Sequence, residues 1–323
     1  MTFALAAGCA ATAVSLMAGY VAIAILRSRN FGKAISAEGP QTHVVKAGTP
    51  TMGGLFFMAT ALLVSLAVIV PDDADILLPV AVGAVLTAIG VYDDLGTLVD
   101  RERREAHDRT GMILKLVGFT AIGTVAAYVL YDRIDAPRLL VPHYGSYDIG
   151  PVYLVIALGA IVATTSAVGV TDGLDMLAGG TSAVAFTAFG AIALMQDQDE
   201  LAAFCFVMAG ALLGFLWHNA YPARVFMGDS GSLPLGATLA VVALMTGWWL
   251  LLPLIGIVFV AEILADVIQI GYFRLTGGKR VFKMAPLHCH FEQLGYPEVQ
   301  ITVRFVVVGA IGALLGVALA ALD

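Results

Sequence analysis

Residues 76–94 read ILLPVAVGAVLTAIGVYDD, an apolar run that ends in two adjacent aspartates, Asp93 and Asp94. A helix of about 17 to 25 apolar residues is long enough to cross a hydrocarbon core roughly 30 Å thick. Charged side chains are costly inside that core, so the aspartate pair indicates the point at which the helix leaves the bilayer. The stretch therefore predicts a membrane-spanning helix with carboxylates at its mouth.

The same pattern recurs along the whole chain, in which 59% of the 323 residues are hydrophobic. That share is typical of membrane proteins and excludes an ordinary soluble domain. We predict an all-α polytopic membrane protein with about ten transmembrane helices, and a single integral-membrane domain over residues 1–323. The predicted spans are approximately 3–26, 52–70, 76–92, 111–130, 151–168, 178–195, 201–218, 231–247, 249–273 and 301–321.

Positive charge is distributed unevenly among the loops of this predicted bundle. Fifteen of the 17 Lys and Arg residues lie in 27–50, in 101–115, at Arg224 and in 274–304. Because Lys and Arg accumulate on the cytoplasmic side, the loops after the first, third, seventh and ninth spans are predicted to be cytoplasmic. An even number of spans then places both termini outside, and the active site is expected on the cytoplasmic face.

Aspartates lie beside glycines in two further cytoplasmic loops. Residues 171–175 read TDGLD, and residues 226–231 read FMGDSG, with Asp229 just before the next span. Glycine allows the backbone to bend sharply or to approach a ligand closely, and a helix that begins at Asp229 would point free N–H groups at an anion. Each motif alone is also compatible with an ordinary capped helix start, or with a solvated helix end at Asp93 and Asp94.

Three acidic loops on one face, with Lys46 and Arg224 on the same side, together indicate a site that binds phosphate through a divalent cation. Ligand sets made only of oxygen atoms suit Mg²⁺ better than zinc. Phosphoryl transfer depends mainly on positioning and on neutralisation of charge, which such a site supplies. The loops therefore predict Mg²⁺-assisted phosphoryl chemistry.

Two other polar features allow more than one interpretation. Glu262, Asp266 and Gln269 lie on one helical face of the ninth span, where they could form interhelical hydrogen bonds or an ion path. His288 and His290 flank Cys289 in the last cytoplasmic loop, but adjacent side chains diverge and a zinc site is disfavoured. Contact of these histidines with a phosphate or a sugar is the preferred interpretation.

Taken together and in this order, the loops resemble those of the phospho-N-acetylmuramoyl-pentapeptide transferases, within the polyprenyl-phosphate N-acetylhexosamine-1-phosphate transferase superfamily. Each motif alone is weak, whereas the ordered set with the matching topology is specific. The resemblance covers nearly the whole chain, and its segments are 46–54, Asp93 with Asp94, 171–175, 219–231, 271–280 and 284–292.

The resemblance implies a ten-helix enzyme in the bacterial plasma (inner) membrane with cytoplasmic catalytic loops. It implies Mg²⁺-dependent transfer of phospho-MurNAc-pentapeptide from UDP-MurNAc-pentapeptide to undecaprenyl phosphate, which yields lipid I and UMP in peptidoglycan synthesis. The expected partners are these two substrates and the lipid bilayer, with no nucleic acid. A homodimer is an assembly that the resemblance allows.

Roles for individual residues also follow from the resemblance. Asp229 is expected to bind Mg²⁺, and Asp93 to deprotonate the lipid phosphate, with Asp94 and Asp172 completing a catalytic acidic cluster. Direct attack and a phospho-aspartyl intermediate both stay open. The expected substrate-binding residues are Lys46, Thr51, Asp175, Asn219, Phe226, Gly228, Gln269, His288 and His290.

Three positions depart from the family pattern: Thr97 replaces a lysine, Gly169 replaces an asparagine and Cys289 replaces a histidine. The first removes a cation expected near the donor, and Arg224 is one basic residue that could replace it. Three alternatives stay open: a sister enzyme that transfers GlcNAc-1-phosphate or another sugar phosphate, an ion-coupled carrier that uses the polar face of the ninth span, and a relative without activity.

Overall fold

The computed structural model describes residues 1–29, 48–98, 104–134 and 138–322. Within these ranges the protein is a helical bundle with one short β-hairpin. The helices are α1 (Thr2–Ser28), α2 (Gly54–Val68), α3 (Leu77–Leu98), α4 (Arg104–Asp132), α5 (Val152–Thr171), α6 (Leu177–Met195), α7 (Asp199–Asn219), α8 (Asp229–Met245), α9 (Leu252–Ile255), α10 (Ile257–Leu275), α11 (Leu287–Gln293) and α12 (Glu298–Ala320).

Seven helices of the described chain are long and apolar enough to cross a membrane, and the bent segment 249–275 raises the number to eight. Two shorter apolar helices, α2 and α8, lie where the second and eighth spans were predicted. The predicted class, a polytopic helical membrane protein, is confirmed. The count of ten spans and the outward position of both termini stay predictions.

Helix α8 forms the centre of the bundle. Every residue from Ser230 to Leu244 is buried, and the helix packs mainly against α3 and α5, with further contacts to α2 and α6. A helix that is apolar on all sides is suited to such a central position. Other helices surround α8 from Ser230 onward, and the acidic residues gather at the partly exposed start of this helix.

Helices α1 and α7 approach each other closely through small residues. Side-chain atoms added at Gly210 would collide with the carbonyl oxygen of Gly8, and those added at Gly214 would lie 2.6 Å from the backbone nitrogen of Leu16. The Ser15 hydroxyl donates a hydrogen bond of 2.7 Å to the carbonyl oxygen of Ala211. In a membrane, such small residues let helix backbones pack in van der Waals contact.

Replacing Gly210 with alanine is expected to destabilise the bundle by about 1–3 kcal/mol, because an overpacked helix contact must separate. Thermal unfolding in detergent measures the effect as a lowered Tm. Gly159 on α5 provides a matched control, because an added Cβ there meets no atom within 4 Å. Equal Tm values for Gly210→Ala and Gly159→Ala would contradict the tight packing of α1 on α7.

The ninth predicted span is bent and does not form one straight helix. The chain forms a short 3-10 turn at Trp249–Leu251, then α9, and bends by 79° at Gly256 before α10 begins. Pro253 cannot donate a backbone hydrogen bond, and Gly256 has no side chain to resist the change of direction. As a result α10 turns away from the axis of α9 and exposes Leu264, Val267 and Ile268 on its outer face.

The sequence also gave no indication of a β-hairpin between α4 and α5. Strand β1 (Arg138–Val141) pairs antiparallel with β2 (Gly145–Asp148), with Leu139 opposite Tyr147. The backbone nitrogen of Leu140 also donates to the carbonyl oxygen of Gly247, which ties the hairpin to the loop after α8. The hairpin lies at the far end of α8 from the acidic residues, so it does not contribute to their site.

Candidate active site

Carboxylates from two other parts of the chain hold the first turn of α8. Asp94, near the end of α3, accepts hydrogen bonds of 3.0 Å from the backbone nitrogens of Asp229 and Ser230. Asp172, directly after α5, accepts one of 3.2 Å from the backbone nitrogen of Gly228. The three predicted acidic loops therefore meet at one place. The N–H groups expected to bind a ligand anion there are instead bonded to the protein's own carboxylates.

Two glycines make this close meeting of α3 and α8 feasible. Gly228 adopts a φ of +74°, and an added Cβ would lie 2.5 Å from Oδ2 of Asp94 and 2.9 Å from Oγ1 of Thr51. On the facing side, an added Cβ at Gly90 would collide with the carbonyl oxygen of Asp229. Gly228 was predicted to contact substrate, and here its lack of a side chain lets Asp94 reach the α8 backbone.

Lys115 of α4 supplies the cation at the centre of this acidic cluster. Its Nζ lies 2.7 Å from Oδ2 of Asp93 and also forms an ion pair with Oδ2 of Asp229. The side chains are partly shielded from solvent: Lys115 is 26% exposed, Asp93 13% and Asp229 30%. One ammonium thus joins carboxylates from α3 and α8, where the repulsion between two anions would otherwise be large.

Sequence reasoning did not identify Lys115, and it suggested Arg224 as a replacement for the cation absent at Thr97. Lys115 lies inside a predicted span and was counted only as a marker of the cytoplasmic face. A single lysine within an apolar helix was the signal that could have identified it, because such residues commonly face a partner inside the bundle. Arg224, the suggested replacement, instead lies over the ring of Tyr20, 5.7 Å from its centre.

The cluster is compatible with a divalent cation that is shared with a ligand. The described residues contain no group of three His, Cys, Asp or Glu side chains arranged to enclose a metal by themselves. Mg²⁺ commonly binds one or two carboxylates and completes its shell with water and phosphate oxygens. Asp93 and Asp229 converge on one positive charge and so provide a pair of that kind.

Asp175 and Asn219 use their side chains to connect loops beside the cluster. The Asp175 carboxylate accepts a hydrogen bond of 2.9 Å from the backbone nitrogen of Ala223. The side-chain amide of Asn219 accepts a hydrogen bond of 2.8 Å from the backbone nitrogen of Met176. It also donates a hydrogen bond of 2.9 Å to the carbonyl oxygen of Val225. These bonds hold the loop after α5 against the loop before α8. Contact of either side chain with a nucleoside stays a prediction.

The segment before α2 runs alongside the loop that contains Phe226. The backbone nitrogen of Phe226 donates a hydrogen bond of 2.8 Å to the carbonyl oxygen of Pro50. The backbone nitrogen of Gly53 donates one of the same length to the carbonyl oxygen of Phe226. Thr51 lies between these bonds, buried next to Gly228. Thr51 and Phe226 are thus brought to the cluster. Lys46 lies outside the described residues.

His288 is held beside the 171–175 loop by a buried glutamate. Glu262 accepts hydrogen bonds from the backbone nitrogens of Leu287 (2.8 Å) and His288 (3.2 Å), and its Oε2 lies 3.1 Å from the His288 Nδ1. The opposite ring nitrogen, Nε2, packs directly against Gly173, where any Cβ would collide with it. The His288 ring therefore reaches the edge of the acidic cluster.

The charge of His288 is set by its neighbours. Burial lowers the pKa of His288, but contacts with the Cys289 thiol and the Glu262 carboxylate outweigh burial and raise the pKa to about 10. A base with a raised pKa keeps its proton to higher pH, so His288 is an imidazolium at neutral pH. It presents an N–H donor and a positive charge toward the 171–175 loop.

Gln269 and His290 shape the loop that leads to His288. Oε1 of Gln269 accepts hydrogen bonds from the backbone nitrogens of Val281 (3.1 Å) and Phe282 (3.0 Å). Nδ1 of His290 accepts a hydrogen bond of 3.1 Å from the backbone nitrogen of Lys283. The polar face of α10 therefore bonds mainly to the backbone of this loop. Glu262, on the same face, bonds to the first residues of α11, so the earlier interpretation of interhelical hydrogen bonding is confirmed for this side chain. An ion path along this face stays a prediction.

Comparison with known proteins agrees with this arrangement. The profile of glycosyl transferase family 4 matches residues 76–247, which carry Asp93, Asp172 and Asp229. The phospho-N-acetylmuramoyl-pentapeptide-transferase signature 1 matches residues 46–58. Both matches therefore fall on segments that meet at the acidic cluster.

Three curated relatives align over nearly the whole chain, and each has the name phospho-N-acetylmuramoyl-pentapeptide-transferase. The one from Chloroflexus aurantiacus is 43% identical over 99% of this chain and 90% of its own length. That from Rubrobacter xylanophilus is 41% identical (94% and 92%), and that from Geobacillus thermodenitrificans is 40% identical (91% of each). The chain is therefore a member of glycosyl transferase family 4 and, within it, of the phospho-N-acetylmuramoyl-pentapeptide-transferase family of membrane enzymes.

Proposed function

We propose that the protein transfers phospho-MurNAc-pentapeptide from UDP-MurNAc-pentapeptide to undecaprenyl phosphate, with lipid I and UMP as products. The observation that carries the proposal is the meeting of Asp93, Asp229 and Lys115 at the partly exposed start of α8. Phosphoryl transfer requires a site that neutralises and positions anionic oxygens, and this cluster has the charges to do so. The names of the aligned relatives support the choice of donor.

The four aspartates divide into two pairs with different tasks. Asp94 and Asp172 bond to the backbone of α8 and fix the position of its first turn. Asp93 and Asp229 direct oxygens at a cation and are the groups available to reactants. We assign to Asp93 the role of accepting the proton of the lipid phosphate, while Lys115 holds it in place and balances its charge.

Mg²⁺ is the cation we assign to this site, held by Asp229 with Asp93 beside it. When bound, it would neutralise the charge of the donor's phosphate oxygens. Lys115 and the His288 imidazolium add positive charge on two sides of the same cluster. These fixed charges favour an anionic reaction centre without reorganisation of solvent.

We assign the protein to the bacterial plasma membrane, with the acidic cluster on the cytoplasmic side. Fifteen of the 17 Lys and Arg residues lie in sequence segments at or beside the loops predicted to be cytoplasmic, which supports this orientation. A cytoplasmic site would be open to a soluble nucleotide donor and to a lipid acceptor in the inner leaflet. A homodimer is a prediction that the mass of the detergent-solubilised protein tests.

Donor choice is tested with purified protein, radiolabelled undecaprenyl phosphate and one UDP-sugar at a time. We expect label to move into a lipid-linked sugar, with release of UMP, when the donor is UDP-MurNAc-pentapeptide. Conversion only with UDP-GlcNAc would identify the sister transferase instead. Absence of UMP from every donor, in a protein with an unchanged Tm, would favour a carrier or a relative without activity.

Glu262→Gln is expected to make activity fall with rising pH where the wild type does not. Glutamine keeps the size of the side chain but removes the charge that supports the His288 imidazolium, so the pKa of His288 drops from about 10. Between pH 6 and pH 9 the ratio of variant to wild-type UMP release should decrease by about tenfold. A ratio independent of pH would contradict a role for the charged form of His288.

A further inference from the structure

A cavity separate from the acidic cluster lies beside the loop that carries His288. It has a volume of about 640 Å³ and is formed by one face of α10 and by residues 280–286. Its walls are largely apolar and carry one carboxylate and two guanidinium groups. The residues that define it are Asp266, Ile270, Phe273, Arg274, Arg280 and Met284.

The charged groups of the cavity have few partners within the protein. Across the described residues, Asp266 and Arg274 form no side-chain hydrogen bond or ion pair, and the sole one of Arg280 is a 3.3 Å bond to the carbonyl oxygen of Lys283. Asp266 and Arg274 are eight residues apart on one helix, which separates them by about 12 Å along the axis. Asp266 and Arg274 are thus too far apart to neutralise each other across the cavity.

The cavity is held open by hydrogen bonds and adjoins the proposed donor site. Gln269 bonds three times to the backbone of Val281 and Phe282, which fixes the loop wall. Pro286 lines the cavity, and the next two residues bond through their backbone nitrogens to Glu262, one turn before Asp266. The same short segment therefore separates the cavity from the His288 ring at Gly173.

We infer that this cavity binds the peptide arm of the donor, an inference that rests on the proposed function. In a muramoyl peptide the amino end is acylated by the sugar acid, so the free end is a carboxylate. That carboxylate would pair with Arg274 and Arg280, since guanidinium groups bind carboxylates in a forked geometry. A side-chain ammonium of the peptide would pair with Asp266, and four extended residues, about 13 Å long, span the distance.

A lipid phosphate is the other source of an anion at this membrane face. It would occupy the guanidinium groups but make no contact with the carboxylate of Asp266, whose charged neighbours within the protein are His288, which attracts it, and Glu262, which repels it. A peptide with a terminal carboxylate and an ammonium side chain pairs with both kinds of charge, and its backbone passes the apolar wall of Ile270 and Phe273. The charge pattern therefore favours the peptide.

Binding of two donors to the purified full-length protein, measured by calorimetry without lipid acceptor, tests the inference. For the double variant Arg274→Gln with Arg280→Gln, we expect the Kd of UDP-MurNAc-pentapeptide to rise about tenfold and that of UDP-MurNAc to stay unchanged. Asp266→Asn should weaken the pentapeptide donor only when its amino side chain is free, and not when that amine is acetylated. Arg304→Gln is the matched control, because Arg304 lies over the ring of Tyr296 and away from the cavity.

Equal weakening of both donors, or none for either, would overturn the inference. So would a variant that keeps its donor affinity but shows a raised KM for undecaprenyl phosphate, because the cavity would then bind the lipid. Failure of the proposed function is a separate result: wild-type protein would bind the pentapeptide donor and release no UMP, while the comparison of Kd values would still decide the peptide contact.

Discussion

Lys115→Met is expected to reduce UMP release by about 10²- to 10³-fold, the size of effect seen when one charge-stabilising group is removed from an active site. Methionine retains most of the length and apolar surface of lysine, so the helix contact is preserved. Loss of the ammonium leaves Asp93 and Asp229 facing each other with no cation from the chain between them. Their repulsion would displace both carboxylates from the position that suits the reactants.

The measurement is kcat for UMP release, with Tm recorded for each variant. Lys115→Arg keeps a positive charge and should recover part of the activity, although its planar group is larger. Arg224→Gln serves as a control for a basic residue of the same face, because Arg224 lies over Tyr20 and not at the cluster. Near-normal activity of Lys115→Met, together with a large loss in Arg224→Gln, would show that Lys115 is not the catalytic cation.

Asp94→Asn is expected to lower UMP release by about 10²-fold and to destabilise the protein by about 1–3 kcal/mol. Each carboxylate oxygen of Asp94 accepts a hydrogen bond from a backbone nitrogen of the first turn of α8. An asparagine can accept with one oxygen, but its NH₂ group would face the second N–H group without an acceptor. The first turn, which includes Asp229, would then lose its fixed position.

Activity and Tm of Asp94→Asn should be compared with those of Asp73→Asn. Asp73 accepts a hydrogen bond from the nitrogen of Asp75 in the exposed turn before α3, so that change tests an Asp-to-backbone bond away from the cluster. We expect little change in UMP release for the Asp73 variant. If Asp94→Asn kept wild-type activity and Tm, the idea that a carboxylate of α3 organises the start of α8 would be wrong.

The helical bundle could be predicted from the sequence because most apolar runs of membrane length form a single helix. The exceptions have local causes that hydrophobicity does not report. Pro253 and Gly256 lie in an uninterrupted apolar run, yet together they produce the 79° bend before α10. Residues 138–148 form a hairpin that is tied to Gly247, a contact distant in sequence.

At the site, sequence reasoning identified the acidic loops but not the partners that link them. Motifs of Asp beside Gly indicated where chemistry could occur, whereas pairing depends on which helices are neighbours. Lys115 was hidden because it lies in a span, and Glu262 was assigned to a polar face without knowledge that α11 folds back onto it. In both cases the missing information was three-dimensional, since nothing in the local sequence specifies the facing helix.

The central claim is that distant carboxylates form one cation-dependent phosphoryl-transfer site. UMP release from UDP-MurNAc-pentapeptide and undecaprenyl phosphate, titrated with Mg²⁺ in wild-type protein and in Asp229→Asn, tests it most directly. The account predicts that release stops in EDTA, returns when Mg²⁺ is added, and is lost or shifted to much higher Mg²⁺ in the variant. Release that persists in EDTA, or an Asp229→Asn protein with the wild-type Mg²⁺ dependence, would contradict it.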